Sequence, residues 1–134
     1  MGVTAYLDAS VLVRYLIGRP LDAAAMAIEI VDGVEELVIT EGEILETAYV
    51  LRSRYKTPRE AVVDSLIAVL RKANVRSQYL DKDLLIAALL LCRPSGRISP
   101  GDALLWANAR AINGPVYTFD RRFPRDGIEI RNRA

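Results

Sequence analysis

The chain has 134 residues, 51% of them hydrophobic, with a net charge of +1 and no histidine. That length and apolar content describe one packed domain, residues 1–134, and exclude a disordered segment. Without histidine, imidazole acid–base chemistry and serine triads are excluded, and with Cys92 as the single cysteine neither an internal disulfide nor a tetrahedral zinc site is expected.

The apolar run Leu84 to Cys92 is far shorter than the ~18 residues of a membrane span. No basic region leads into an apolar stretch at the N-terminus, so no signal peptide is expected. Met1-Gly2 invites a lipidation reading, but Tyr6 stands where that motif wants Ser or Thr. The lone cysteine fits a reducing compartment, and a cytoplasmic protein without membrane contact is expected.

In chain order, Val3 to Leu7 reads as a short strand ending at Asp8. A helix is predicted over Ala9 to Ile17, stopped by Gly18 and Pro20, and a second over Leu21 to Val31 at helical apolar spacing. Glu36 to Ile39 is a second strand. Thr40-Glu41-Gly42-Glu43 matches a capping box and opens a helix to about Tyr55. Thr57-Pro58-Arg59-Glu60 repeats that signature and starts a helix to about Ala73.

Val75 to Leu80 is read as a third strand, and Asp81 as the cap of an apolar helix over Lys82 to Cys92. Pro94-Ser95-Gly96 breaks that helix. Ser99-Pro100-Gly101-Asp102 opens another, ended by Asn113-Gly114. Val116 to Phe119 and Ile128 to Ile130 close the chain as strands. Helices between short strands predict a three-layer α/β fold with a mainly parallel sheet. The short connection between the last two strands favours an antiparallel pair there.

Four acids hold positions of interest. Asp8 ends a strand and begins a helix, Asp102 lies in a first helical turn, and Asp120 follows a strand. Each has a structural explanation as a cap or turn residue. Glu46 shares a helix side with Tyr49, Val50 and Ser53 and by default reads as a surface glutamate. Sites in parallel sheets form outside the carboxyl ends of strands; Asp8 and Asp120 stand at such ends, Asp102 at a helix start on that side if the alternation of strands and helices holds, and Glu46 near the start of the helix after the second strand, within reach of the same edge. Two carboxylates ~4 Å apart repel by about 4 kcal/mol at an effective dielectric of 20. A hard divalent cation, Mg²⁺ or Mn²⁺, removes that cost and accepts a substrate phosphate as a further ligand. Arg110, Arg121, Arg122, Arg125, Arg131 and Arg133 crowd the C-terminal quarter, either as a solvated surface or as an attraction for a polyanion.

The stretches YLDASVLVRYL (6–16), ETAYVLRSRY (46–55), GDALLWANA (101–109) and VYTFDRRF (116–123) together resemble the PIN-domain family, and within it the VapC-type ribonuclease toxins of prokaryotic toxin–antitoxin pairs. The resemblance implies that Asp8, Glu46, Asp102 and Asp120 hold Mg²⁺ or Mn²⁺, and that Ser10 and Thr118 match polar positions supporting those acids. Many relatives carry another acid close to the third one; Ala103 and Leu104 follow Asp102 here, which implies one well-held ion and a weaker second. Metal-dependent endonucleolytic cleavage of single-stranded or looped RNA is implied, with Asp120 or Glu46 orienting the water and Arg121 or Arg122 contacting flanking phosphates. The family further implies a homodimer and an antitoxin protein seated in an apolar groove, for which the helices Leu21 to Val31 and Val62 to Leu70 are candidates.

Other readings compete. A phosphoacceptor receiver needs a late lysine, whereas lysine occurs only at Lys56, Lys72 and Lys82. A haloacid-dehalogenase-type phosphatase needs an acid where Ser10 stands. A PIN-like RNA- or protein-binding module with little catalysis, and a housekeeping RNA-processing PIN nuclease, stay open as alternatives.

Overall fold

The computed structural model describes residues 4–132; Met1, Gly2 and Val3, and Arg133 of the C-terminal arginine cluster, lie outside the described residues. The chain divides into two compact units, Met1–Tyr79 and Leu80–Ala134. Six helices and five short strands occur among the described residues.

The first unit is built on a parallel sheet of three strands in the order β1 (Ala5–Tyr6), β2 (Leu37–Ile39), β3 (Val75–Ser77). Ala5 faces Leu37, Leu37 faces Val75, and Ile39 faces Ser77. All three residues of β2 are buried, which is why the middle strand reads as an unbroken apolar run. Helices α1 (Ala9–Ile17) and α2 (Leu21–Val31) connect β1 to β2; α3 (Glu41–Ser53) and α4 (Arg59–Leu70) connect β2 to β3. Helix α1 packs on α2 and α3, and α3 on α4. Leu12, Val31, Leu37, Ile39, Ile44, Leu51, Leu66 and Leu70 are fully buried here, each such side chain contributing about 1.5–3 kcal/mol relative to exposure. Gly18 ends α1 in the left-handed region at φ 77°, a conformation that side chains resist.

The helices begin where their signals stand, with one correction. Thr57 does not cap α4: Pro58 is the N-cap, no side chain bonds the first turn, and Thr57 instead donates its N–H to Leu51 O. The strands are shorter than the apolar stretches that announced them, because only two or three residues of each find a ladder partner.

The second unit contains α5 (Lys82–Cys92), α6 (Pro100–Ile112) and a two-stranded sheet, β4 (Val116–Tyr117) with β5 (Ile130–Arg131). Asp81 caps α5 by accepting from Asp83 N, and Ser99 caps α6 by accepting from Asp102 N. The two helices pack together, and Leu85, Ala88 and Leu89 of α5 and Ala103, Leu104 and Ala107 of α6 are buried. The antiparallel expectation for the last strand is wrong: β4 and β5 run parallel, with Val116 opposite Ile130 and Tyr117 opposite Arg131. The connecting segment achieves this by crossing back over α6 rather than turning as a hairpin. Phe123 and Pro124 are buried along it, and the Trp106 indole N–H donates to Asp126 O at 2.7 Å. Gly127, at φ 71°, makes the return turn with the Arg110 side chain so close that a Cβ would sit 2.6 Å from its Nε. The fold class is therefore the α/β class read from the sequence, with short parallel strands and helices between them.

Candidate active site

In the first unit, β1 and β2 run parallel, so their carboxyl ends lie along one sheet edge, followed respectively by the starts of α1 and α3. Asp8 is the N-cap of α1, in extended conformation. Its Oδ2 accepts the Ser10 N–H at 2.9 Å and the Ser10 hydroxyl. The Ser10 hydroxyl, and then its amide, hold the Asp8 carboxyl below its ordinary value of 3.8. Asp8 is thus exposed and firmly ionised at neutral pH.

The neighbouring donor goes to a residue that the local pattern had assigned elsewhere. Ala9 N–H donates to Glu43 Oε2 at 2.6 Å, across 34 positions of sequence. Thr40 does cap α3 by accepting from Glu43 N, but the Glu43 carboxylate is used on α1, so the expected reciprocal capping bond is replaced. The first two free N–H groups of α1 are therefore satisfied by two different carboxylates, a placement that the helix dipole favours. The sequence signal for Glu43 was its place one turn into the helix after β2, at the same sheet edge as Asp8.

Glu46 lies three positions beyond Glu43 on α3, exposed like Tyr49 and Ser53 and without a hydrogen bond or ion pair among the described residues. Beside it Thr47 is completely buried, and its hydroxyl has no partner among the described residues.

In the second unit, Asp102 occupies the third position of α6, half-buried, its N–H bonded to Ser99 Oγ at 3.1 Å. Its carboxylate carries no bond among the described residues. Asp120 follows β4 in a tight double turn: its N–H donates to Thr118 Oγ1 at 3.0 Å, and its Oδ1 accepts the Arg122 N–H at 2.8 Å. The Arg122 guanidinium folds over the same oxygen at 3.7 Å, which leaves the other Asp120 oxygen open. Thr118 thus fixes the backbone that carries Asp120. Arg121 is exposed.

Every available ligand is a carboxylate oxygen, and the one thiol, Cys92, is buried, so the set suits a hard cation and no soft one. Among the described residues no group of three or more acids or cysteines is arranged to hold an ion. Mg²⁺ needs no such cage: it is commonly held by one or two carboxylates and keeps several waters for a phosphate to replace. In the first unit the ionised Asp8 and the unbonded Glu46 carboxylate, and in the second unit the unbonded Asp102 carboxylate, are each donors of the kind that mode uses.

No helix among the described residues is long and apolar enough to cross a membrane. None of the curated proteins compared with the chain matches it. The family model of the PIN domain matches residues 5–127 of the 134, running from β1 past the Asp120 turn. The chain belongs to the PIN domain family, whose members are generally metal-dependent nucleases.

Proposed function

We propose that the protein is a divalent-metal-dependent endoribonuclease that hydrolyses RNA phosphodiester bonds, and that it is the toxin of a VapBC-type toxin–antitoxin pair. The observation that carries the reading is the family match over residues 5–127, which includes all four acids and spans both units, supporting one functional domain over 1–134.

Asp8, Glu46, Asp102 and Asp120 supply oxygen ligands to Mg²⁺ or Mn²⁺. Ser10 keeps Asp8 ionised and oriented by its two hydrogen bonds. Thr118 orients Asp120 through the turn amide. Such an ion, when bound, supplies a water of lowered pKa and polarises the phosphoryl oxygen. The carboxylate of Asp120 or Glu46 accepts a hydrogen bond from the attacking water, whose oxygen bonds to phosphorus as the bond to the leaving ribose oxygen breaks. Arg121 and Arg122 contact phosphates beside the scissile one as charge-assisted donors. A homodimer, a cognate antitoxin and a cytoplasmic location complete the proposal. A short reading frame directly upstream that encodes a DNA-binding protein would support the toxin role over housekeeping RNA processing.

A second reading, a PIN-fold RNA- or protein-binding module with little catalysis, is favoured by one observation, the lack of a three-acid metal group among the described residues. Cleavage of labelled RNA separates the two. The wild-type protein cleaves with Mg²⁺ or Mn²⁺, EDTA stops it, and Asp8→Asn lowers the rate at least ~100-fold, the loss of about 3 kcal/mol of transition-state stabilisation, while circular dichroism stays unchanged. Equal rates for Asp8→Asn and wild type would assign the cleavage to a contaminant.

A further inference from the structure

The sheet of the second unit presents an aromatic face. Tyr117 lies in β4, and Phe119 follows two residues on in the same segment. That segment stays paired beyond β4 through the Thr118 N–H bond to Arg131 O at 3.1 Å. Tyr117 is 59% exposed and Phe119 78%. The chain's other phenylalanine, Phe123, is 4% exposed four residues on, so the same turn buries one ring and turns the other outward.

The outward ring is held in place. The Asp120 N–H bond to Thr118 Oγ1 spans Phe119, and the Arg122 N–H bond to Asp120 Oδ1 fixes the turn that follows it. Across the sheet the Arg131 guanidinium lies over the Tyr117 ring, 5.7 Å from its centroid, and is itself anchored by Glu129 at 2.7 Å. Lone exposed apolar residues are ordinary. Two exposed rings two residues apart, with a cation over one of them and an exposed Arg121 close by in sequence, are the groups that stacking sites for single-stranded nucleic acids use.

We propose that Tyr117 and Phe119 stack on unpaired bases of an RNA strand, Phe119 taking the base nearest the Asp120 turn. The inference rests on the nuclease reading for its substrate and adds the residues that select an unpaired strand. Phe119 and Asp120 are consecutive, which places the ring beside the turn that carries one of the proposed metal-binding acids. Charge agrees, since Arg121, Arg122, Arg125 and Arg131 outnumber Asp120, Asp126 and Glu129 over this segment. Bases inside a duplex offer no free face to such rings, so paired RNA gains nothing from them.

The test measures binding of fluorescein-labelled oligouridylate by anisotropy in the non-cleaving Asp8→Asn background, so that binding is read whether or not the chain is a nuclease. Adding Phe119→Ala weakens binding by about 5- to 150-fold, the range for loss of one stacked base. Phe119→Trp keeps or tightens it, Tyr117→Ala also weakens it, and affinity for a blunt RNA duplex does not respond to Phe119→Ala. Oligouridylate affinity within twofold of the parent for Phe119→Ala would overturn the inference and leave the cleavage reading intact. So would unchanged affinity with a loss of self-association in sedimentation, which would give this face to a second copy of the chain.

Discussion

At Glu43 a local signal and a distant partner compete for one carboxylate, and the distant partner wins. Ala9 is 3% exposed, so its N–H has little access to water and gains most from a charged acceptor. Glu43→Ala leaves that donor unsatisfied and is expected to cost about 1–2 kcal/mol, whereas Glu43→Gln, which retains an oxygen acceptor, costs less. Urea unfolding of the two variants measures the difference, and equal losses would show that the bond contributes nothing specific. Thr47 presents the opposite case, a buried hydroxyl with no partner among the described residues. Thr47→Val keeps the shape and removes the desolvation cost, so an increase in stability of about 1 kcal/mol is expected in the same measurement. Asp8 was legible as a cap from its position alone. That Ser10 would use both its amide and its hydroxyl on it was not, since that depends on the rotamer the helix start imposes.

Among the elements, the junction of α1, α2 and β3 is closed by a polar latch. Tyr15 Oη donates to Asp32 Oδ1 at 2.7 Å, and Lys72 Nζ sits 2.8 Å from the same oxygen. Asn74 Nδ2 donates to Val31 O and Glu35 O alongside. Lys72, then Tyr15, holds the Asp32 carboxyl below its ordinary 3.8, and Asp32 raises Lys72 above 10.5 and Tyr15 above 10.0. Asp8 is lowered by Ser10, and Glu36 by Arg76 and then Thr4. The depressed acids contribute stability that is present above 3.8–4.5 and lost as pH falls through their folded values. Raised Lys72 and Tyr15 contribute stability that is complete below 10.5 and 10.0 and lost as pH rises through their folded values. A Tm plateau between about pH 5 and pH 9 follows, falling on both sides. Asp32→Asn should lower the plateau and shrink both falls; an unchanged profile would remove the latch from the account. The helix starts were readable because capping residues act within a few positions. The parallel pairing of β5 was not, because it depends on where Phe123 and Trp106 pin the crossover.

For the molecule as a whole, ion binding to the folded state alone raises its stability by mass action, about 2.7 kcal/mol at a hundred times the dissociation constant. Mg²⁺ is therefore expected to raise the Tm of wild type by several degrees. Asp8→Asn and Asp102→Asn, one in each unit, are each expected to abolish most of the rise. A full shift in either variant would remove that residue from the ligand set. Differential scanning fluorimetry at constant ionic strength measures this without reference to cleavage.

By itself the sequence determined the alternation of helices with short strands, the starts of α1, α3, α5 and α6, and the family, because periodicity, capping and motif order are properties of neighbouring residues. It also excluded imidazole chemistry outright, since a residue that is absent cannot act. Only the tertiary structure decided that Glu43 serves α1, that Arg122 lies over Asp120, that β5 runs parallel to β4, and that Phe119 faces water while Phe123 does not. Each of these depends on which groups compete for one donor, one charge or one place in the core, and that competition exists only once distant segments are packed together.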